Sequence, residues 1–390
     1  MDIFRINTPA GTGAGGVVSF GPGGSTLAPT NAGQIINNIK SKLWIERYSV
    51  PGEFKLVAPI YTGIIEKLPI GSFISHIHTQ EVMMVLDHQI TEDQDKPTDI
   101  SITGKSLPLI LNNRIVGANK DFSTLAIPTN YIADGKNSWG QIQDLIEFHI
   151  RPEHQIDPGN IIPDITVITQ VTGGGTVADR SIKIGSLFDR VQELLTVDGL
   201  GIKTMRPSFN TSIAYGTSDT ILSIYKGINK TSDIVFTNIY GEIESADYFW
   251  SIQDSFTGAY VHGKWCDVFV ENESGSSGLN RRVIDIDAAD IDNELETNPV
   301  GATRTWIEAA MTQRGREAIA AQKEIILTKA QPNENTKQYV YRSDYNLGDL
   351  VTVFGNYGQK STMQIVEHVE IEDDRGESGH PTLAYPDEEN

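Results

Sequence analysis

The sequence predicts a β-rich α+β fold, because two kinds of periodic segment alternate along its 390 residues. Runs with apolar residues at every second position, typical of strands with one wet face, occur near both ends of the chain. Segments in the middle instead place their apolar residues on one helical stripe. Glycine- and proline-containing stretches separate these runs and indicate turns. Together the patterns favour barrels or sandwiches with helices inserted between the strands.

The amino-terminal part is expected to be a glycine-rich arm. Residues 11–33, GTGAGGVVSFGPGGSTLAPTNAG, combine glycine with small polar residues and two prolines, a composition typical of flexible linkers. The fragment GTGAGG is not followed by the GK[ST] of a phosphate-binding loop, and no strand pattern precedes it. Phosphate binding is therefore not indicated.

The first ordered element is predicted to be a β-hairpin. KLWIERYSVPGEFKLVAPI contains two strand-like runs around Pro51 and Gly52, a pair suited to a turn because proline presets φ and glycine accepts positive φ. Trp44, Glu46 and Tyr48 share one face of the first run. Further strands are predicted at FISHIHTQEVMMVL and DISITG, with the acidic DHQITEDQDKP as a surface loop between them, and SLPLILNNRIV as a short helix.

Two amphipathic helices are predicted in the middle of the chain. SWGQIQDLIEFHI has an apolar stripe and can be capped by Asn137 or Ser138. GSLFDRVQELLTVDG is predicted to begin after Ser186, whose hydroxyl can accept a backbone hydrogen bond, and to stop at Gly199. GIKTM follows as a strand.

The last third of the chain is predicted to contain strands around one long helix. TILSIYKG, SDIVFTNIYG and TGAYVHGKWCDVFV are strand-like, and ATRTWIEAAMTQRGREAIAAQKEI is helical, with a kink or an end at Gly315. In STMQIVEHVEI the apolar residues Met363, Ile365, Val369 and Ile371 alternate with polar ones, which predicts a strand. DLVTVF is its expected antiparallel partner across GNYGQK.

The charge balance argues against tight nucleic-acid binding. The chain has 51 Asp and Glu against 31 Lys and Arg, a formal net charge of −20. Affinity for DNA comes chiefly from cationic side chains that neutralise phosphates, so tight DNA binding is not expected. The default interpretation of the charge is a soluble, self-repelling surface, and the alternative is a surface beside which DNA passes without sticking. No run of about 18 apolar residues occurs, and the start MDIFRINTPAGTG lacks the features of a signal peptide, so we expect a soluble protein made inside a cell.

Two segments contain candidate metal ligands. His76 and His78 lie two residues apart on a predicted strand, so both imidazoles would project from one face with Glu81 nearby in sequence. No further ligand is indicated, and buried structural histidines are the default interpretation. DIDAADIDNELE, residues 285–296, partly fits a calcium-binding loop, but Ala289 and Asp290 stand where an oxygen ligand and the turn glycine belong. We therefore expect no metal and no cofactor.

No catalytic motif is recognised. The sequence lacks G-x-S-x-G and HExxH, and Cys266 is the one cysteine, which excludes an internal disulfide. His262 is four residues from Cys266 within a strand-like run, and the default for this cysteine is a small buried residue beside Trp265. Carboxylates are too numerous in so acidic a chain for any pair to indicate hydrolysis. We expect a protein that is not an enzyme.

An ordered series of segments connects these elements. It consists of LWIERYSVPGEFKLVAP, ITGKSLPLILNNRIV, LFDRVQELLTVDGLGIK, YKGINKTSDIVFT, TGAYVHG with RRVIDID, TQRGREAIA, and YRSDYNLGDLVTV followed by IVEHVEIEDDRGESGHPTLAYP. The series, over roughly residues 36–385, resembles the hub proteins at the tail tip of long-tailed phages. Their structural family includes the amino-terminal part of tail-associated lysins and the central baseplate hub of contractile tails.

The resemblance implies a hub-like fold of two barrel-like β domains with peripheral α/β insertions, assembled as a homotrimeric ring. The expected segments are the arm over residues 1–35, the first barrel-like domain over 36–125, an α/β insertion over 126–210, a second β-rich domain over 211–300, and a helix with the closing β domain over 301–390. The structural residues that the resemblance singles out are Trp44, Gly52, Tyr345, Leu347, Gly348 and Asp349. Gly348 is expected to need positive φ, and an aspartate carboxylate at this turn to accept local backbone N–H bonds.

The resemblance also implies partners and a location. It places the ring at the distal end of the tail, in contact with the tail tube or distal tail protein ring, the tape measure protein, and the tail fibre or receptor-binding protein. The host envelope would be contacted indirectly, and genomic DNA would pass through the channel. Residues 11–33 depart from the family pattern, and the sequence stops at Asn390, where many relatives continue into a fibre or a peptidoglycan-cleaving domain, so lytic activity is not expected.

Two other functions remain open from sequence. A cell-wall carbohydrate-active enzyme would need a pocket with two carboxyl groups roughly 5 to 9 Å apart. A β-rich adhesin or binding module would be monomeric and exported, which the start of the sequence does not favour.

Overall fold

The computed structural model describes most of the chain outside the amino-terminal region. The described residues are 3–5, 35–36, 38–60, 63–76, 79, 81–93, 96–117, 131–151, 161–162, 165–171, 177–206, 220–237, 243–253, 255–272, 276–291, 300–321, 325–332, 338–355 and 360–385. The glycine-rich residues 11–33, including GTGAGG, lie outside them. No helix in the described ranges is long and apolar enough to cross a membrane.

Strands predominate over helices in the described part of the chain. The strands are β1 (Ile3–Arg5), β2 (Ile35–Ile36), β3 (Ser41–Arg47), β4 (Glu53–Pro59), β5 (Phe73–His76), β6 (Val82–Asp93), β7 (Lys96–Ser106), β8 (Ile115–Val116), β9 (Tyr131–Lys136), β10 (Ile165–Thr169), β11 (Ala178–Ile182), β12 (Gly185–Ser186), β13 (Gly201–Met205), β14 (Thr220–Tyr225), β15 (Val235–Thr237), β16 (Ile243–Ser251), β17 (Gly258–His262), β18 (Asp267–Glu271), β19 (Val283–Asp287), β20 (Ile325–Pro332), β21 (Leu350–Phe354), β22 (Lys360–Asp373) and β23 (Gly376–Ala384). The helices are α1 (Ile64–Lys67), α2 (Ser138–Ile150), α3 (Leu187–Val197) and α4 (Ala302–Ala321), with 3-10 turns at Leu107–Asn113 and Gly278–Asn280. The β-rich α+β class is confirmed, and the number of barrels stays a prediction.

The largest sheet joins the first and last parts of the chain. Its strand order is β15-β21-β22-β3-β4-β7-β6-β5-β1-β2, with β23 also paired to β22. The long strand β22 makes the connection, because it pairs antiparallel with β21 and also with β3. The predicted β3–β4 and β21–β22 pairs are both confirmed.

The expectation of a surface loop over residues 87–97 is wrong. Residues 87–93 belong to β6 and residues 96–97 to β7, and the two strands pair as far as Asp93 and Lys96. Asp87, Gln89 and Ile90 are exposed. A hairpin whose side chains face water has the same polar composition as a loop, so composition alone could not distinguish the two.

Gly52 does not adopt the positive φ expected for its turn. Glycine is needed at this position because the backbone of Ile45 lies very close: a Cβ on Gly52 would be 2.3 Å from the carbonyl oxygen of Ile45. The Gly52 N–H donates to the Ser106 hydroxyl at 2.7 Å. The glycine is therefore required by crowding between the hairpin and the end of β7.

The two central helices begin and end as predicted. The Asn137 side chain accepts a hydrogen bond from Gly140 N at the start of α2, and Ser186 accepts one from Asp189 N at the start of α3. Gly199, with φ +59°, follows α3. Helix α2 packs against β10 and helix α3 packs against α2, and their buried faces form one hydrophobic core with the sheet β10-β14-β13.

A smaller unit consists of the sheet β18-β17-β19 and helix α4. Of the kink or end expected at Gly315, the end is wrong, because α4 continues through it to Ala321. A Cβ on Gly315 would lie 2.8 Å from Val270 Cγ2 and 3.0 Å from Val261 Cγ2. The glycine lets the helix approach the sheet closely, and packing outweighs its low helix propensity.

The alternation predicted for β22 holds only in its first half. Met363 and Ile365 are buried, but the pairing with β23 shifts between Ile365 and Glu367, and His368 is buried in place of the next odd residue. Val369 and Ile371 are only half-buried. A bulge adds one residue on one strand and so reverses which side chains face the core.

Candidate functional site

The turn before β21 contains the residues that the sequence singled out most strongly. Gly348 has φ +89°, as expected for a residue that needs the left-handed region. Asp349 is 2% exposed, and its Oδ2 accepts the Asn346 N–H at 2.9 Å, which is the expected local bond. Its Oδ1 accepts the Ile228 N–H at 2.9 Å, a contact from a distant segment that the sequence did not indicate. Asp349 therefore closes its own turn and attaches a second one.

Three glycines lie close to Tyr48, the residue that follows β3. A Cβ on either Gly201 or Gly348 would lie 2.3 Å from the Tyr48 ring. A Cβ on Gly227 would lie 1.9 Å from the carbonyl carbon of Gly348. We call these four residues the Tyr48 junction. A side chain at any of the three glycine positions would require either the Tyr48 ring or the Gly348 backbone to move.

Hydrogen bonds complete the Tyr48 junction. The Tyr48 hydroxyl donates to the Gly199 carbonyl at 2.8 Å and accepts the Gly227 N–H at 3.2 Å. Burial raises the pKa of Tyr48, so its hydroxyl keeps the proton that it donates. The Tyr48 backbone bonds to Val366 and Ile202. One side chain thus connects four segments that are far apart in sequence.

A buried ionic network lies beside the junction. Glu46, 4% exposed, accepts hydrogen bonds from Trp44 Nε1 at 3.0 Å and from the Tyr341 hydroxyl at 2.8 Å, and it pairs with the Arg342 guanidinium. Burial by itself raises the pKa of Glu46, but Arg342 and these hydrogen bonds outweigh burial and lower it. Glu46 is therefore held ionised by its partners. Arg342 has φ +69°, an uncommon conformation for a residue with a side chain.

Glu81 behaves in the opposite way. It is 6% exposed, and burial together with the negative charge of Glu46 raises the pKa of Glu81 well above its ordinary range. Lys203, whose ammonium lies 4.2 Å from the centroid of the Tyr225 ring, opposes this shift. Two neighbouring carboxyl groups are thus held in different protonation states, which permits both to be buried in one polar cluster.

His368 forms the third part of this network. Its ring stacks on Tyr341 with centroids 4.0 Å apart and planes inclined by 23°. Its Nδ1 lies 3.3 Å from the Tyr345 hydroxyl. Burial lowers the pKa of His368 to about 4, although the charge of Glu46 opposes the shift. The imidazole is therefore neutral at pH 7 and belongs to the core.

The other predicted residues lie in three places. Leu347 is buried with Tyr48 and Tyr345 in the core under β21. Trp44 is 1% exposed and stacks on Phe54 with centroids 5.8 Å apart, in the core between β3 and β7. His76 is buried with its Nε2 3.0 Å from Lys42 Nζ, and Lys42 also pairs with Glu370. His78 lies outside the described residues.

The candidate metal and cysteine sites hold no cluster of ligands in the part of the chain that the structure describes. Asp285 and Asp287 are exposed residues of β19, and Glu296 of the same motif is not described. Cys266 is half-buried, with its sulfur 3.6 Å from the Met311 sulfur. His262 contacts Asp267 and Asp285, not the thiol. These residues thus have structural partners.

Chemically, the arrangement joins distant segments through hydrogen bonds and ion pairs. Both oxygens of Glu46 accept hydrogen bonds from neighbouring side chains, and the Tyr48 hydroxyl uses both its proton and a lone pair. Sequence reasoning missed Tyr48, Gly201, Gly227 and Arg342. The repeated placement of glycine beside predicted strands, in DGLGIK, YKGIN and NLGDL, was the available signal.

The fold as a whole is shared with tail proteins of known structure. The 43 kDa tail protein of prophage MuSo2 from Shewanella oneidensis is 16% identical, with a TM-score of 0.53 over 91% of this chain and 96% of that one. A tail protein from Neisseria meningitidis MC58 is 10% identical, with a TM-score of 0.52 over 90% and 93% of the two chains. Prophage tail protein gp18 from Listeria monocytogenes EGD-e is 8% identical, with a TM-score of 0.52 over 91% and 92%. At these identities the likeness shows the fold alone.

The family is shown by the sequence itself. The model of the siphovirus ReqiPepy6 Gp37-like proteins matches residues 31–382, and the chain belongs to this family. The resemblance to siphophage tail proteins inferred from the segment series is thereby confirmed. No curated protein sequence matches the chain.

Proposed function

We propose that this protein is a structural virion component, a hub at the tip of a siphophage tail that performs no catalytic step. The observation that carries the proposal is the match along almost the whole chain. The family model covers residues 31–382, and three tail proteins of known structure share the fold over at least 90% of both chains. A tail protein that this family matches from end to end is expected to act through assembly.

In this proposal three subunits form a closed ring at the distal end of the tail. The ring connects the tail tube or the distal tail protein to the tail fibre or receptor-binding protein, and it holds the end of the tape measure protein until DNA is released. Contact with the host envelope is indirect. The Tyr48 junction supports a mechanical role, because it fixes the two ends of the chain to one rigid body through buried contacts with little freedom to move.

The test is the mass and shape of the purified full-length chain. Light scattering coupled to size-exclusion chromatography should give three times the chain mass of 42.8 kDa, and negative-stain images should show rings with a central hole. Closed cyclic contacts predict one discrete species over a wide concentration range. A monomer at all concentrations, or an open filament, would overturn the proposal.

A further inference from the structure

The sheet β18-β17-β19 has one covered face and one uncovered face. Its inner face, which includes Ala259, Val261 and Val270, packs against α4. Its outer face exposes 38% of Tyr260, 41% of Phe269 and 40% of Val283. Tyr260 pairs directly with Phe269 across the sheet, and Val283 pairs with Gly258, which has no side chain. Three large apolar side chains thus lie on one surface, where the Phe269 ring lies over Gly258, at 3.0 Å from the position of an added Cβ.

Carboxylates surround this apolar stripe. The strand registers define nine outward positions, and we call them the outer face: Gly258, Tyr260 and His262 on β17, Asp267, Phe269 and Glu271 on β18, and Val283, Asp285 and Asp287 on β19. Four of these positions have an acidic side chain and none has Lys or Arg. A fully exposed leucine, Leu279, lies in the 3-10 turn before β19. The outer face is therefore apolar in part and negative in charge.

The acidic corner of the outer face is organised around two rings. His262 Nε2 lies 2.5 Å from Asp285 Oδ1, and the Tyr260 hydroxyl donates to Asp267 Oδ2 at 3.2 Å. The rings of Tyr260 and His262 meet edge to face with centroids 4.3 Å apart. The side chains of Asp267 and Asp285 are 48% and 76% exposed. An aromatic ring between two exposed carboxylates offers a planar cation both a π face and charge-assisted hydrogen bonds.

The charges indicate what covers this face. A second copy that met this face with its own outer face would bring the same excess of carboxylates against it. Nucleic acid is repelled for the same reason. Within the chain, the Arg281 guanidinium already lies 4.9 Å from the centroid of the Phe269 ring, so the face accommodates a guanidinium on its aromatic stripe. Charge complementarity therefore selects a basic protein surface.

We propose that the outer face docks a basic segment of another protein, with an arginine over Tyr260 between Asp267 and Asp285 and an apolar side chain against Val283. The docked segment excludes water from the apolar stripe and neutralises the carboxylates around it. This docking is independent of ring closure, because it needs only one subunit. Arginine is favoured over lysine because its planar group stacks on the ring and bonds a carboxylate with two N–H groups.

The test uses the full-length chain and a fluorescent peptide of alternating arginine and leucine, with a matched peptide that has glutamate in place of arginine. We expect the arginine peptide to bind, with affinity that falls as salt rises, and the glutamate peptide not to bind. Asp267→Asn combined with Asp285→Asn, and separately Tyr260→Ser, should each weaken binding about tenfold, the loss expected for one desolvated ion pair or stacked cation. Ile115→Ser, which changes an exposed apolar residue elsewhere, should leave binding unchanged.

Other results would overturn the docking proposal. Equal affinity in all variants would show that the peptide follows the net charge of the whole chain, and no binding would show that the face takes no basic segment. Self-association that Phe269→Ser abolishes would assign the face to a second copy. Variants of the outer face that form normal rings but no longer bind the peptide would support the docking proposal. A monomeric wild type that still binds the peptide would contradict the proposed ring and leave the docking proposal intact.

Discussion

A glycine beside Tyr48 meets two separate constraints at the scale of single residues. Gly348 has φ +89°, which a residue with a Cβ rarely adopts, and its Cβ would overlap the Tyr48 ring at 2.3 Å. Gly71 meets only the first constraint, because it has φ +83° and nothing within 4 Å of the added Cβ. Substitutions at the two glycines therefore allow the cost of backbone strain to be measured separately from the cost of crowding.

We expect Gly71→Ala to lower the free energy of unfolding by about 1 kcal/mol, the cost of left-handed backbone for an L-residue. Gly348→Ala should lower it by about 3 kcal/mol, because overpacking against Tyr48 is added to the same strain. Urea denaturation of both variants measures the difference. Equal losses would show that the Tyr48 ring moves aside and that the junction is not tightly packed.

The same position is expected to control assembly. Gly348→Val adds a branched side chain where even one Cβ has no room, so the turn before β21 cannot keep its shape. We expect the variant not to form trimers or particles, as measured by light scattering. Soluble Gly348→Val protein that assembles normally would contradict this expectation.

His368 predicts a pH dependence of stability. Its pKa is about 4 in the folded protein, lowered by burial, and its ordinary value is 6.5. Below pH 6.5 the unfolded chain binds a proton that the folded chain does not, so stability is lost as pH falls from 6.5 to about 4. The groups that face this imidazole are Glu46, His380 and Arg342.

We expect His368→Phe, which keeps a ring against Tyr341, to remove this component. The unfolding free energy of the wild type should fall by about 3 kcal/mol relative to the variant between pH 6.5 and 4. Glu46 and Glu81 titrate in both proteins, so their opposing contributions largely cancel in the difference. Parallel pH profiles of wild type and variant would show that His368 is protonated in the folded state.

Elements differ in how far their own residues determine them. The limits of α2 and α3 were predicted closely because Asn137, Ser186 and Gly199 act on backbone groups within three residues of themselves. The β6–β7 hairpin and the bulge in β22 were missed because both depend on pairing with another strand. The role of Gly315 was misjudged for a related reason. The glycine is needed because the sheet that α4 covers lies close to it, and the sequence of the helix does not show this.

Gly315 therefore allows packing and helix propensity to be compared directly. We expect Gly315→Ala to destabilise the protein by about 1–2 kcal/mol, because the clash with Val270 and Val261 exceeds the gain of about 1 kcal/mol in helix propensity. In a Val270→Ala background the same change should become neutral or stabilising, because space is then available. Thermal denaturation of the four proteins gives the coupling. A stabilising Gly315→Ala in the wild type would show that the helix can shift outward at little cost.

The whole molecule depends on contacts between distant parts of the sequence. Arg47 on β3 pairs with Glu367 on β22 at 2.6 Å, and Tyr48 contacts Gly199, Gly227 and Gly348. Local patterns identified most of these strands and the segment series identified the family, but the register that places Glu46 beside Arg342 follows from neither. Single-sequence periodicity specifies which face of a strand is apolar and not which strand lies next to it.

The net charge of the chain predicts whether the assembled ring retains DNA. Duplex DNA has about one negative charge per 1.7 Å, so a bore lined by Lys and Arg would retain it through many phosphate contacts. With a formal net charge of −20 per chain, we expect no retention of linear duplex by the purified assembly at about 50 or 200 mM salt in a filter-binding assay. Screening limits each carboxylate to a range of roughly 8 Å in physiological salt, so residues facing the bore decide the result. Duplex retained at low salt and released at high salt would reveal a cationic bore, and the interpretation of the acidic surface as a passage for DNA would then be wrong.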